Sequence, residues 1–110
     1  MIVISKKEKK EIQNIDLHNA KVAKIICDYD EGTVEIPIIM AGKYQYPALL
    51  KFENILHIEV NRKKPWKTGI NIFEVNVDDA EGEYFRVNIL LNSGNEVKII
   101  ASKMIYSSIE

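Results

Sequence analysis

The sequence lacks most of the features that announce a function. It holds one cysteine, Cys27, so no disulfide can close within the chain. No apolar run approaches the ~20 residues of a membrane-spanning helix. The apolar start, Met1 to Ser5, is too short for a signal-peptide core, and its charges follow it rather than precede it. A cytoplasmic location is therefore expected, with no membrane partner. Neither sign of charge dominates: 15 Lys and Arg against 16 Asp and Glu leave a formal net charge of −1. Dedicated nucleic-acid binders carry a basic excess, because phosphate contacts dominate their affinity, so nucleic acid is not the expected partner.

Catalytic signatures are missing as well. There is no Gly-x-Ser-x-Gly elbow, no phosphate-cradling glycine loop and no dinucleotide fingerprint. The mixed set Asp16, His18, Cys27 and His57 contains no pair at ligand spacing, so neither a metal nor a cofactor is expected. Asp28-x-Asp30-Glu31-Gly32 superficially resembles a calcium loop, but it lacks the later Gly and the closing Glu, and reads as an acidic turn.

What is present is a strand pattern. The chain of 110 residues is 46% apolar and 28% charged, the size and composition of one globular domain. Val34, Ile36, Ile38 and Met40 alternate with other residues, as do Leu56, Ile58 and Val60, then Phe73, Val75 and Val77, then Phe85, Val87, Ile89 and Leu91. Side chains on a strand point alternately to opposite faces, so these segments read as half-buried strands. Acidic or Asn-containing turns with Gly, at Asp28–Gly32, Asp78–Glu83 and Asn92–Asn95, separate them. The pattern predicts an all-β fold, an antiparallel meander of six strands, or seven with residues 2–5, in a small sandwich or strongly curled sheet. Residues 1–19 form a lead-in and residues 20–105 the sheet core of one domain. Within the lead-in, Lys6 to Glu11 either begins a short helical turn or stays solvated. Cys27 lies in the apolar run Val22 to Cys27 and is expected to be buried. Ile39, Leu90 and Ile100 place apolar residues on the second face of their strands, so something should cover part of that face.

Two groups of residues stand out as candidate sites. If residues 16–18 are extended, Asp16 and His18 share a side, where a carboxylate can fix a histidine's tautomer; the same pair also serves as a local structural hydrogen-bonding unit. The loop Asn61 to Gly69 surrounds the one tryptophan with basic residues, and Arg62, Lys64, Trp66 and Lys67 are the candidate partner-binding residues. The alternative is that Trp66 folds back onto an open sheet end while the lysines are solvated.

Asp16-Leu17-His18-Asn19-Ala20, together with Ile58-Glu59-Val60, Lys64-Pro65-Trp66 and Ile70-Asn71-Ile72, resembles a group of small bacterial β-rich domains that includes immunity proteins of polymorphic-toxin systems. The resemblance spans roughly residues 15–101, with Asn19 and Lys67 standing where that group favours Asp and Gly. It implies a non-enzymatic protein that binds and blocks a partner and needs no cofactor. A ligand-binding domain or hydrolase-like enzyme using Asp16 and His18 is the second reading. A homo-oligomer with a structural role is the third.

Overall fold

The computed structural model describes residues 1–62 and 70–109. In chain order the elements are β1 (Ile2–Ser5), a 3-10 helix (Lys6–Asn14), β2 (Lys21–Val22), β3 (Ile26–Asp28), β4 (Thr33–Met40), β5 (Tyr46–Glu53), β6 (His57–Val60), β7 (Ile72–Asp79), β8 (Phe85–Leu91), β9 (Glu96–Ala101) and β10 (Lys103–Ser108). They form two antiparallel sheets. One is six-stranded, in the order β1-β10-β5-β4-β2, with β3 also paired to β4; the other is four-stranded, in the order β6-β9-β8-β7. Together they make an open sandwich of the expected class, and β7, β8 and β9 are the expected meander.

Period-2 alternation decides which faces meet. Val34, Ile36, Ile38 and Met40 are buried on β4, and Phe85, Val87, Ile89 and Leu91 on β8. Cross-strand register extends each row: Val34 lies opposite Phe52, which lies opposite Met104, which lies opposite Ile4. Val87 lies opposite Ile99 in the other sheet. Fully burying one such side chain stabilises the fold by roughly 1.5–3 kcal/mol.

The described residues hold ten strands rather than six or seven, and the differences have local causes. The apolar run Val22 to Cys27 is divided between β2 and β3. Val22 pairs with Ile38 and Ile26 with Glu35, so the ladder breaks opposite Ile36 and Pro37. Proline has no N–H to donate, and β4 tolerates Pro37 where a neighbouring strand is interrupted. The split leaves β3 short and peripheral, and Cys27 is exposed rather than buried. β5 hides its alternation behind Pro47 and the adjacent pair Leu49-Leu50, and β10 ends in serines. On β7 the register shifts between Ile72 and Glu74, so Phe73 is the extra residue of a bulge and is 55% exposed, while Val75 and Val77 face inward as expected. Leu56 and Val60 are also exposed, because β6 is an edge strand at the open end of the sandwich.

The lead-in is ordered. In a 3-10 helix residues three apart eclipse one another, so Lys6, Lys9, Ile12 and Ile15 line one side. Burial follows that period: Ile12 is fully enclosed, and Lys6, Lys9 and Ile15 are partly covered. Lys6 Nζ donates to the carbonyls of Ala80 and Gly82, at 2.7 and 2.6 Å, and Lys9 pairs with Asp79 at 2.9 Å. This strap joins the end of β1 to the β7–β8 turn.

Candidate functional site

Register assigns the outer face of the six-stranded sheet. Val3 lies opposite Ile105, Leu49 opposite Pro37 and Pro47 opposite Ile39, all pointing away from the core. Ile105 and Leu49 are diagonal neighbours across β10 and β5. These six residues form an apolar stripe running diagonally from β1 to β4. Val3 and Ile39 are 50% and 39% exposed, and the others are half-buried or exposed. Isolated exposed apolar residues are ordinary; a contiguous stripe bounded by charge marks an interaction surface.

The charges that bound it are segregated. Beyond the stripe at the Thr33 end of β4, Asp28, Glu31, Glu35 and Glu53 share a concave surface of about 460 Å³ with Lys51 and Lys103. Lys103 lies 3.7 Å from Glu53. At the opposite end, Lys21 stands across from Ile39, and Lys43, in the β4–β5 turn, rests its ammonium over the Tyr44 ring at 5.5 Å. The Thr33 end therefore carries an excess of carboxylates, four against two lysines, and the Ile39 end carries Lys21 and Lys43.

The outer face of the four-stranded sheet is different. Leu90 sits between Glu74 and Glu96, and Ile100 between His57 and Arg86. Both are half-buried in a polar mosaic in which Lys98 lies 4.0 Å from Glu59. Of the three residues expected to need cover, Ile39 alone belongs to a stripe.

Asp16 and His18 lie together on the rim of a groove of about 360 Å³ between the lead-in and β7, which Phe73 and Glu74 also line. His18 Nδ1 is 2.8 Å from the Phe73 carbonyl, and its ring meets the Phe73 ring edge-on at 6.1 Å. Gln13 Nε2 donates to the Val75 carbonyl and the Asn19 N–H to the Ile72 carbonyl. These groups occupy the outward carbonyls of an edge strand, which would otherwise offer a template for further pairing. Among the described residues no hydrogen bond joins Asp16 to His18. Cys27 and His57 line a separate cleft of about 270 Å³, again with no hydrogen bond between them among the described residues, and His57 Nε2 faces Glu59 at 3.7 Å. No cluster of three potential metal ligands occurs among the described residues. Arg62 is exposed just after β6, whereas Lys64, Trp66 and Lys67 lie outside the described residues.

The sequence reading missed Val3, Pro37, Pro47, Leu49 and Ile105 as surface residues. The available signal was that β5 carries apolar residues on both faces, as Leu49 and Leu50 show.

No family model and no curated protein matches the chain. The crystal structure of an uncharacterized protein from Neisseria gonorrhoeae is similar in fold, with a TM-score of 0.61 and 18% sequence identity over 84% of this chain and 93% of that one. Among the described residues no helix is long and apolar enough to cross a membrane.

Proposed function

We propose that this chain is a non-enzymatic, cytoplasmic protein-binding domain that makes its contact through the outer face of the six-stranded sheet. The observation that carries this reading is the apolar stripe from Val3 to Ile39, set between a carboxylate-rich end and a lysine end. A stripe of that composition is better suited to a protein surface than to a small ligand, because it extends across four strands of an open sheet and lines no enclosed cavity among the described residues. The immunity-like form of the reading, in which the domain blocks its partner, draws on the resemblance of residues 15–101 and on the basic loop containing Arg62, Lys64, Trp66 and Lys67.

The test is capture of partners from the native host by wild type, by Leu49→Lys and by the double variant Trp66→Ala/Lys67→Glu, each checked for an intact fold. Loss of a specific partner with Leu49→Lys supports the sheet face, and loss with the double variant supports the loop. Identical partner profiles for all three would sink the reading.

A ligand site at Asp16 and His18 is the second reading, favoured by the groove that exposes Phe73 beside the histidine. It predicts His18 chemical-shift changes when a metabolite library is added, and unchanged shifts would leave it without support.

A further inference from the structure

The occupant of the six-stranded face follows from how its charges are arranged. We infer that the protein binding there is a second copy of this chain, related by a two-fold axis that lies in the interface and crosses the strands near the level of Ile36. This inference rests on the protein-binding reading above and names its partner.

The argument begins with symmetry. Two copies of one face stacked by a two-fold axis in their common plane have two simple choices. An axis along the strands lays each end of the face over its own kind, carboxylate excess on carboxylate excess and lysine on lysine. An axis across the strands exchanges the ends, so the carboxylate-rich end of one copy meets the lysine end of the other. Like charges brought together disfavour the first arrangement, and complementary ends favour the second.

Register makes the second choice specific. β2 and β3 both flank β4, with Lys21 at the level of Ile39 and Asp28 at the level of Thr33. Ile36 is midway between those levels. Rotation about it exchanges them on the same side of the sheet, bringing Lys21 of each copy over Asp28 of the other. The two stripes cross once, where each passes from Ile105 to Leu49, and beyond the crossing Leu49, Pro37 and Ile39 of each copy pass over Lys51, Glu35 and Thr33 of the other.

Area is compatible with a weak complex. Strands β1 to β5 and β10 contribute 31 residues to the sheet (4, 2, 3, 8, 8 and 6). At about 3.3 Å per residue and about 4.8 Å between strands, that is roughly 500 Å² in projection per copy. Two copies give about 1,000 Å², the lower bound for a specific interface, so the complex should be weak and reversible on dilution.

The experiment is sedimentation of the full chain across a dilution series at low salt. Wild type should shift from monomer to dimer, and Leu49→Lys should remain monomeric with an unchanged circular dichroism spectrum. Lys21→Glu and Asp28→Lys should each weaken the dimer, since each juxtaposes like charges twice. Mixing those two variants should restore it, because the heterodimer regains two opposite-charge pairs. A dimer that persists in Leu49→Lys, or no recovery on mixing, would overturn the inference. A wild type that stays monomeric throughout overturns it too; the protein-binding reading then survives only if Leu49→Lys still loses a host partner.

Discussion

The two sheets present the same inner chemistry and opposite outer chemistry. Inside, β4 and β8 each bury an alternating row of aliphatic or aromatic residues. Outside, the four-stranded sheet breaks its apolar residues up with charge, so Leu90 and Ile100 have ionic or polar neighbours on both sides. The six-stranded sheet gathers its apolar residues into one diagonal stripe, flanked by Glu35 and Lys51 on one side and Lys21 on the other, with Asp28, Glu53 and Lys103 beyond it. Scattered apolar residues within a polar face need no partner, whereas a continuous stripe gains from being covered.

The contrast can be broken at several points. The largest effect belongs to the inner faces: Phe52→Ala should destabilise the fold by about 3–5 kcal/mol in urea unfolding, since Phe52 is fully enclosed. A much smaller loss would mean that the two sheets do not share one packed core. Ile12→Ala should cost about 2–4 kcal/mol, because the 3-10 helix places that side chain in the same core; a change near zero would make the lead-in dispensable.

The outer faces should respond by association rather than by stability. Leu49→Lys and Leu90→Lys should each cost no more than about 1 kcal/mol, as expected for half-exposed sheet positions. Only Leu49→Lys should change the partner bound. Equal effects of both on binding would erase the distinction between the faces.

The smallest effects come from pH, and they act on different sheets. Burial, and then its hydrogen bond with Tyr46, pushes the Tyr106 hydroxyl up to about 12. The neutral form is favoured in the folded state, so this contribution is complete below about pH 10 and is lost as pH rises towards 12. Tyr106→Phe should flatten that alkaline loss. Asp79, beside Lys9, is held below its usual carboxylate value, so its contribution is present above about pH 4 and fades as pH falls further. Asp79→Asn should remove a slight acid dependence from docking of the strap, followed by amide exchange in residues 6–14.

Much of the fold was legible because alternation was clean wherever a strand is buried on one side only. Val34 to Met40 and Phe85 to Leu91 needed nothing beyond period two. The failures share a cause: information that lies outside the segment being read. Pro37 splits the strand that it neighbours in space, far from it in sequence. The bulge at Phe73 inverts one side chain in a run that otherwise alternates. β5 carries apolar residues on both faces, which erases periodicity at the place where the surface stripe lies. For the candidate sites, Asp16 and His18 both line one groove, but the histidine's contact with the Phe73 carbonyl spans 55 residues and left no local trace. Ile39 marked the outer face of the six-stranded sheet, while its companions became visible only when register set Val3, Ile105, Leu49 and Pro37 beside one another.

The most direct test of the asymmetry between the outer faces is a set of amide proton–nitrogen spectra recorded over a dilution series. The account predicts concentration-dependent shifts at Val3, Ile39, Leu49 and Ile105, and static signals at Leu90 and Ile100. Shifts centred on Leu90 and Ile100, or none on either sheet, would contradict it.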